Sequence, residues 1–451
     1  MIEKKAGLND SERYLYSLCK RTFLSLWSYA NVFRKAGSEL CDLLVVCGND
    51  VIIFSDKFCE YPNTEDTGLN WNRWFKRAVI KSAHQLWGAE NWIKRSPDRV
   101  FIDAKCEQSL PSPLIVDSDT KFHMVLVAHG ASQSCHDQYG GSGSLMINTA
   151  LSGFDGHTLP YAVGDLDPKR TFIHVLDDTT LDILLESRDT IADFTQYLTK
   201  REKFLRSGMV VFSPGEEELL AYYLKEINEL GEHDFVVPKG ENITGISVEE
   251  GSWLDFQNHP QRLAQVQADS ISYMWDDLIE QFSKHAIAGT QYYVSEGGFL
   301  DSERAIRMLA LENRFTRRVL ANSLKEIILK TPQRQRMVRV MPMHNETFYV
   351  YLLLPYIKDF MPSYDDYRKA RGNFLETTCY ITRLMYPEAK HVIGIAFESG
   401  LNPHGSSEDL IYFDCSGWSD ELEAQTKLDQ QRLKILVAPQ RIEQNNKEFP
   451  D

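Results

Sequence analysis

The chain has 451 residues, 43% of them hydrophobic and 25% charged, with a net charge of −15. That length exceeds one average core and implies two or three domains, and no apolar run approaches the roughly 20 residues that span a bilayer. Eight cysteines without a Cys-x-x-Cys pair argue for reduced thiols in a cytoplasmic protein and against zinc. The start, MIEKKAGLNDSERYLY, lacks the layout of a secretory signal.

In chain order, SERYLYSLCKRTFLSLW (11–27) has apolar residues at helical spacing, with Glu12 in its first turn. SYANVF (28–33) fits a short strand. ELCDLLVV (39–46) and VIIFSDK (51–57) read as buried strands around the turn Cys47–Asp50, which suits a hairpin. NWNRWFKRAVIKSAHQLWGAENWIK (70–94) is an aromatic-rich helix, and RVFIDAK (99–105) reads as a strand. KFHMVLVAHG (121–130) is a further strand leading into a Gly/Ser-rich loop near 131–145 that lacks a P-loop ending. Strand 171–176, amphipathic helices at 216–230, 270–287 and 302–330, and the alternating strands and helix of 347–414 follow. RIEQNNKEFPD reads as a frayed tail. The expected architecture is α/β: an N-terminal domain (1–130), a helix-rich middle (131–335) and an α/β C-terminal part (336–451).

The hairpin 39–57 holds the main candidate chemistry. Alternate residues of a strand share a face, so Ser55 and Lys57 point one way and Asp56 the other. Antiparallel pairing brings Asp42, near the start of its strand, beside the end of the next. Asp42 and Lys57 should therefore meet at one mouth of the sheet. A carboxylate there suits a divalent cation, and an ammonium beside it suits charge on a phosphodiester. A core hairpin with solvated polar ends is the competing structural reading.

The order helix–strand–strand–strand–helix–strand, with Asp42 on the second strand and Lys57 ending the third, resembles the restriction-endonuclease-like, or PD-(D/E)xK, nuclease superfamily over about residues 10–105. The resemblance implies an αβββαβ core, followed here by a larger mixed α/β region. It implies Mg²⁺ (or Mn²⁺) as cofactor, Asp42 as a metal ligand with Glu12 as a further one, Lys57 as the catalytic lysine and Gln85 as its support. DNA is the implied substrate, in bacterial defence against foreign DNA. Ser55 stands where the family places an acid, two residues before the lysine. Asp56, Glu12 or Glu90 could supply it, or the site could be an inactive scaffold or sensor that binds nucleic acid, a partner protein or a second copy. A rival Asp-x-Lys pair is Asp103 and Lys105.

Charge distribution bears on the same question. Residues 71–105 hold eight basic and three acidic residues, which makes Lys76, Arg77 and Lys81 candidate phosphate contacts. Residues 304–339 hold ten basic and two acidic residues. That stripe suits phosphates, or the acidic surplus of the chain itself or of a partner. HVLDD (174–178) places a His and two acids at a strand end, a pattern that fits capping of the next helix.

Overall fold

The hairpin expected around Cys47–Asp50 forms, because two runs rich in branched apolar residues flank a turn with Gly48 at φ 61°. The computed structural model describes residues 10–450 except 239–242, 293, 295–296, 333, 345 and 400–406, and leaves the side chains of residues 10–13 and 18 undescribed. Helix α1 (Asp10–Trp27) leads into strands β1 (Ser28–Lys35), β2 (Ser38–Cys47) and β3 (Asp50–Phe58). One helical run follows, as α2 (Thr67–Phe75), a π turn (Lys76–Ile80) and α3 (Lys81–Arg95), and leads to β4 (Lys121–His129).

Residues 99–105 do not form the expected strand. Only Phe101 makes isolated bridges, to Phe33 and Ser109. The Asp103 carboxylate instead gathers the N–H groups of Lys105 (2.9 Å), Glu107 (3.0 Å) and Gln108 (2.6 Å), which closes the chain into a turn. β4 therefore takes the sixth place in the order of elements. Beyond it come α4 (Ser132–Tyr139), inside the expected Gly/Ser loop, then β5 (Met146–Ser152), β6 (Ala162–Asp165) and β7 (Ile173–Leu176). The first sheet has the order β1-β2-β3-β4-β7: antiparallel through β3, parallel from β3 to β7. A boundary at 130 would thus part β4 from its hydrogen-bonded neighbour β7.

Each face of that sheet is covered. Leu44, Val46, Val51, Ile53 and Leu126 pack against Trp71, Trp74, Val79 and Leu86 of the α2–α3 run. Leu43, Val45, Phe54, Val125 and Val127 pack with Phe23 of α1 and with Phe194 of the later helix α6 (Ile191–Leu205), which follows α5 (Thr180–Ser187).

The middle region adds β8 (Val210–Ser213), α7 (Glu216–Lys225) and β9 (Gly245–Ser247), with β6-β5-β8-β9 as a second sheet. Helices α8 (Ser252–Asn258), α9 (Pro260–Asp269), α10 (Tyr273–Ala288), α11 (Phe299–Ala310) and α12 (Arg314–Lys330) follow. The third sheet, β10 (Met337–Pro342), β11 (Thr347–Leu354), β12 (His391–Glu398) and β13 (Asp409–Asp414), carries α13 (Tyr364–Met385) on one face, and α14 (Asp420–Leu433) comes after it. Strand alternation divides β11. Phe348, Val350 and Leu352 face α13, whereas Tyr349, Tyr351 and Leu353 join the core that runs back to α1 and β3. No described helix is long and apolar enough to cross a membrane.

The basic stretch 304–339 is largely spent inside the molecule. Arg314 bonds Asp189 and Asp276 at 2.8 Å each, Arg317 bonds Asp276 at 2.6 Å, and Arg318 bonds Asp269 at 3.0 Å. Arg304, Arg307 and Arg339 pair with Asp414, Glu303 and Glu326. The chain end is anchored rather than frayed. Glu448 bonds His233 (3.1 Å) and Gln265 (3.0 Å), and Arg318 donates to the Glu448 carbonyl at 3.0 Å.

Candidate functional site

Strands β3, β4 and β7 run parallel and end at one edge, the side on which open α/β sheets place ligands. Register sets Lys57 beside Ala128 and Phe58 beside His129. Parity then sorts the polar ends. Ser55 and Lys57 continue the Val51–Ile53 face, under the α2–α3 run, and Asp42 continues the Leu44–Val46 face on the same side. Asp56 continues the Phe54 face and His129 the Val127 face, on the other side.

Asp42 lies where the hairpin ladder stops. The pairing runs from Cys47–Asp50 to Leu43–Phe54. One residue further, the Asp42 carboxylate accepts the Asp56 N–H at 2.6 Å, in place of a strand carbonyl. Lys57 is half-buried and makes no hydrogen bond or ion pair among the described residues. The helix start is tied to the same mouth. Trp74 donates to the carbonyls of Cys59 (3.1 Å) and His129 (3.2 Å), and Arg77 to that of Glu60 (2.9 Å). Lys76, Arg77 and Lys81 are exposed on that helical run.

On the opposite face His129 bridges two carboxylates, Asp56 at Nε2 and Asp178 at Nδ1. Asp178 also accepts from the Gly130 N–H (3.2 Å) and the Ser132 hydroxyl (3.3 Å). Gly130 is required here: at φ 98° a Cβ would stand 2.3 Å from the Cys59 carbonyl oxygen. Burial works against the imidazolium, but the hydrogen bonds and charges of Asp178 and Asp56 raise the His129 pKa to about 10. Burial also opposes ionisation of Asp178, yet its bond to His129 holds its pKa below the ordinary carboxylate range. His129 is therefore a cation at neutral pH.

The other candidate residues fall as follows. Gln85 is exposed on α3 and makes no hydrogen bond among the described residues. Glu90 is buried and bonds Thr171 and Lys94 at 2.6 Å each, which joins α3 to the approach of β7. Ser55 is 6% exposed. Asp103 is occupied by its turn. The Glu12 side chain lies outside the described residues. Asp177 caps α5, accepting from Thr179 (2.9 Å) and Thr180 (3.0 Å).

These donors do not converge on one point. Asp56 and Asp178 stand on opposite nitrogens of one ring, Asp42 is on the other sheet face, and Ser55 brings no carboxylate. No group of three His, Cys, Asp or Glu among the described residues is arranged to hold a metal ion. The described residues alone thus do not fit a two-carboxylate Mg²⁺ or Mn²⁺ site. In the sequence, His129 goes unnoticed and Asp178 figures only in the helix-capping pattern HVLDD. Their signal was a His closing one apolar strand (VAHG) and an acid pair closing the next parallel one (VLDD), in a sheet where those ends adjoin. Comparison with protein-family models, with curated proteins and with solved structures finds no match.

Proposed function

We propose that the strand-end mouth binds a DNA phosphodiester and that the chain acts on it as a nuclease. One observation carries this proposal: Asp42 and Lys57 lie on the same face and at the same end of the β2–β3 hairpin, where Arg77 of the helical run with exposed Lys76 and Lys81 is anchored to the Glu60 carbonyl. The helix cations hold the backbone through contacts that are independent of sequence and sensitive to salt. The Lys57 ammonium, without an ion pair among the described residues, neutralises a phosphate oxygen as charge builds on it. In hydrolysis a water oxygen bonds phosphorus as the ester P–O bond breaks, and the proton that water loses is balanced by the one the leaving oxygen gains.

The test is cleavage of plasmid, linear duplex and single-stranded DNA with Mg²⁺ or Mn²⁺ by the parent, Lys57→Ala and Asp42→Asn. Loss of about a hundredfold or more in both variants, at unchanged melting temperature for Lys57→Ala, is expected. Cleavage by either variant at the parental rate would place the site elsewhere.

A second reading, a nuclease-like module that binds DNA without cutting it, is favoured by Ser55 in the acid's place and by Asp56 turned to His129. Under it, the parent shows salt-dependent DNA binding, weakened by Lys57→Ala, and no cleavage with either metal.

A further inference from the structure

Far from the strand-end mouth, a cavity of about 1250 Å³ opens between α5, α6, α9, the start of α12, the segment around His233 and the anchored chain end. That exceeds the several hundred Å³ usual for small-molecule sites, and ionised side chains line much of it.

Most of its charges are spent on one another. Arg314 is held by Asp189 and Asp276, Asp269 by Arg318 (3.0 Å), Glu448 by His233 (3.1 Å) and Glu232 by Lys200 (2.9 Å). Three guanidiniums are left: Arg21, exposed and over the Tyr273 ring, and Arg188 and Arg262 in the wall. Arg262 donates to two amide oxygens, Gln265 at 2.6 Å and Gln257 at 3.5 Å, lies over the Phe256 ring, and has no ion pair among the described residues. Arg188 is 4% exposed, and its ion-pair carboxylate, Asp193, stands 3.7 Å away. Burial, and then the charge of Arg188, lower the pKa of Arg262, with Asp269, Asp189 and Glu448 working the other way; burial opposes the Arg188 charge, but Asp193, Glu448 and Asp189 hold its pKa up. Arg188 has carboxylates about it, so Arg262, with no carboxylate partner among the described residues, is the cation that an incoming anion would satisfy.

A planar fork of N–H donors held by a neutral amide is shaped for the oxygens of a phosphate. The rings of Trp253, Phe315 and Phe449 also line the space, which leaves room for a flat group beyond the anion. We propose that this cavity binds a phosphate ester of mononucleotide size, with its phosphate between Arg188 and Arg262 and its base against the aromatic wall.

Calorimetric titration of the full chain with adenosine monophosphate tests the assignment, with adenosine and inorganic phosphate titrated separately. Saturable binding of the nucleotide is expected. Arg262→Ala should weaken it about tenfold or more, and Arg262→Lys less. Lys57→Ala should leave it unchanged, which separates this cavity from the strand-end mouth. Should Arg262→Ala fail to fold, competition on the parent chain decides. Inorganic phosphate displaces the nucleotide if the phosphate seats on the arginines, whereas displacement by adenosine alone overturns the proposal. No saturable binding by the parent, or parental affinity in a folded Arg262→Ala, overturns it as well.

Discussion

Replacing His129 by Gln keeps a hydrogen-bonding side chain but removes the cation between Asp56 and Asp178. The imidazole binds its proton with a pKa of about 10 in the folded chain against 6.5 ordinarily. At about 1.4 kcal/mol per tenfold change in proton affinity, that gap sets a ceiling of about 5 kcal/mol. The Asp178 side chain is 37% exposed and its share is screened by water, whereas that of Asp56 is 4% exposed and keeps its full effect. We therefore expect His129→Gln to cost about 2–3 kcal/mol at pH 6.5. A raised pKa means that the stabilisation is complete below pH 6.5, declines as pH rises and is gone above pH 10. The gap between parent and variant should close over that window. It should also shrink below about pH 4, where the carboxylates take up protons. Thermal melts of both proteins at pH 6.5 and pH 10, with an NMR titration of the His129 ring, measure this directly. A ring that titrates near pH 6.5, or a melting difference that ignores pH, would refute the reasoning.

Asp276 neutralises both Arg314 and Arg317, the latter fully buried, so Asp276→Asn should destabilise by about 3–5 kcal/mol and show as a large fall in melting temperature. Removing residues 446–451 releases His233, Gln265 and Arg318 from Glu448, and hydrogen exchange in α9 should speed up as a result. Asp103→Ala should leave DNA binding and cleavage at parental levels, because that carboxylate serves its own turn; lost activity would restore the Asp-x-Lys pair of 103–105 as a contender.

Short-range pattern made the first part of the fold legible. The runs 39–46 and 51–57 are continuous, branched and bounded by turn residues, and the helix of 70–94 is long and rich in aromatic residues; each carries its own signal. RVFIDAK carries the same apolar signal, yet three backbone N–H groups found a closer acceptor in Asp103 than a neighbouring strand could offer. The partners of the basic stretch were hidden for a different reason. Arg314 and Asp189 are 125 positions apart, so their pairing exists only once α5–α6 and α12 pack together. His129 and Asp178, 49 positions apart, meet only because β4 and β7 are parallel neighbours, and neither strand announces its register.

The Ser-Asp-Lys end of β3 shows how adjacent residues acquire separate tasks. Strand geometry sends Asp56 and Lys57 to opposite faces, so they do not form one catalytic pair. On the α1 face, Asp56 meets a ring already bound to Asp178, and that cluster ties the ends of β3 and β4 to the turn after β7. A carboxylate so engaged gives up about 2–3 kcal/mol of stability if it turns to a ligand. Lys57, on the α3 face, gives up no ion pair among the described residues when it meets a phosphate. Asp42 lies between these cases, since one of its oxygens closes the end of the ladder on the Asp56 N–H. Recruiting Asp42 to a metal by that oxygen would orphan a backbone donor, at a cost of about 1–3 kcal/mol. Lys57→Ala is accordingly the cleaner probe of function, and Asp42→Asn reports on function and on the stability of the mouth together.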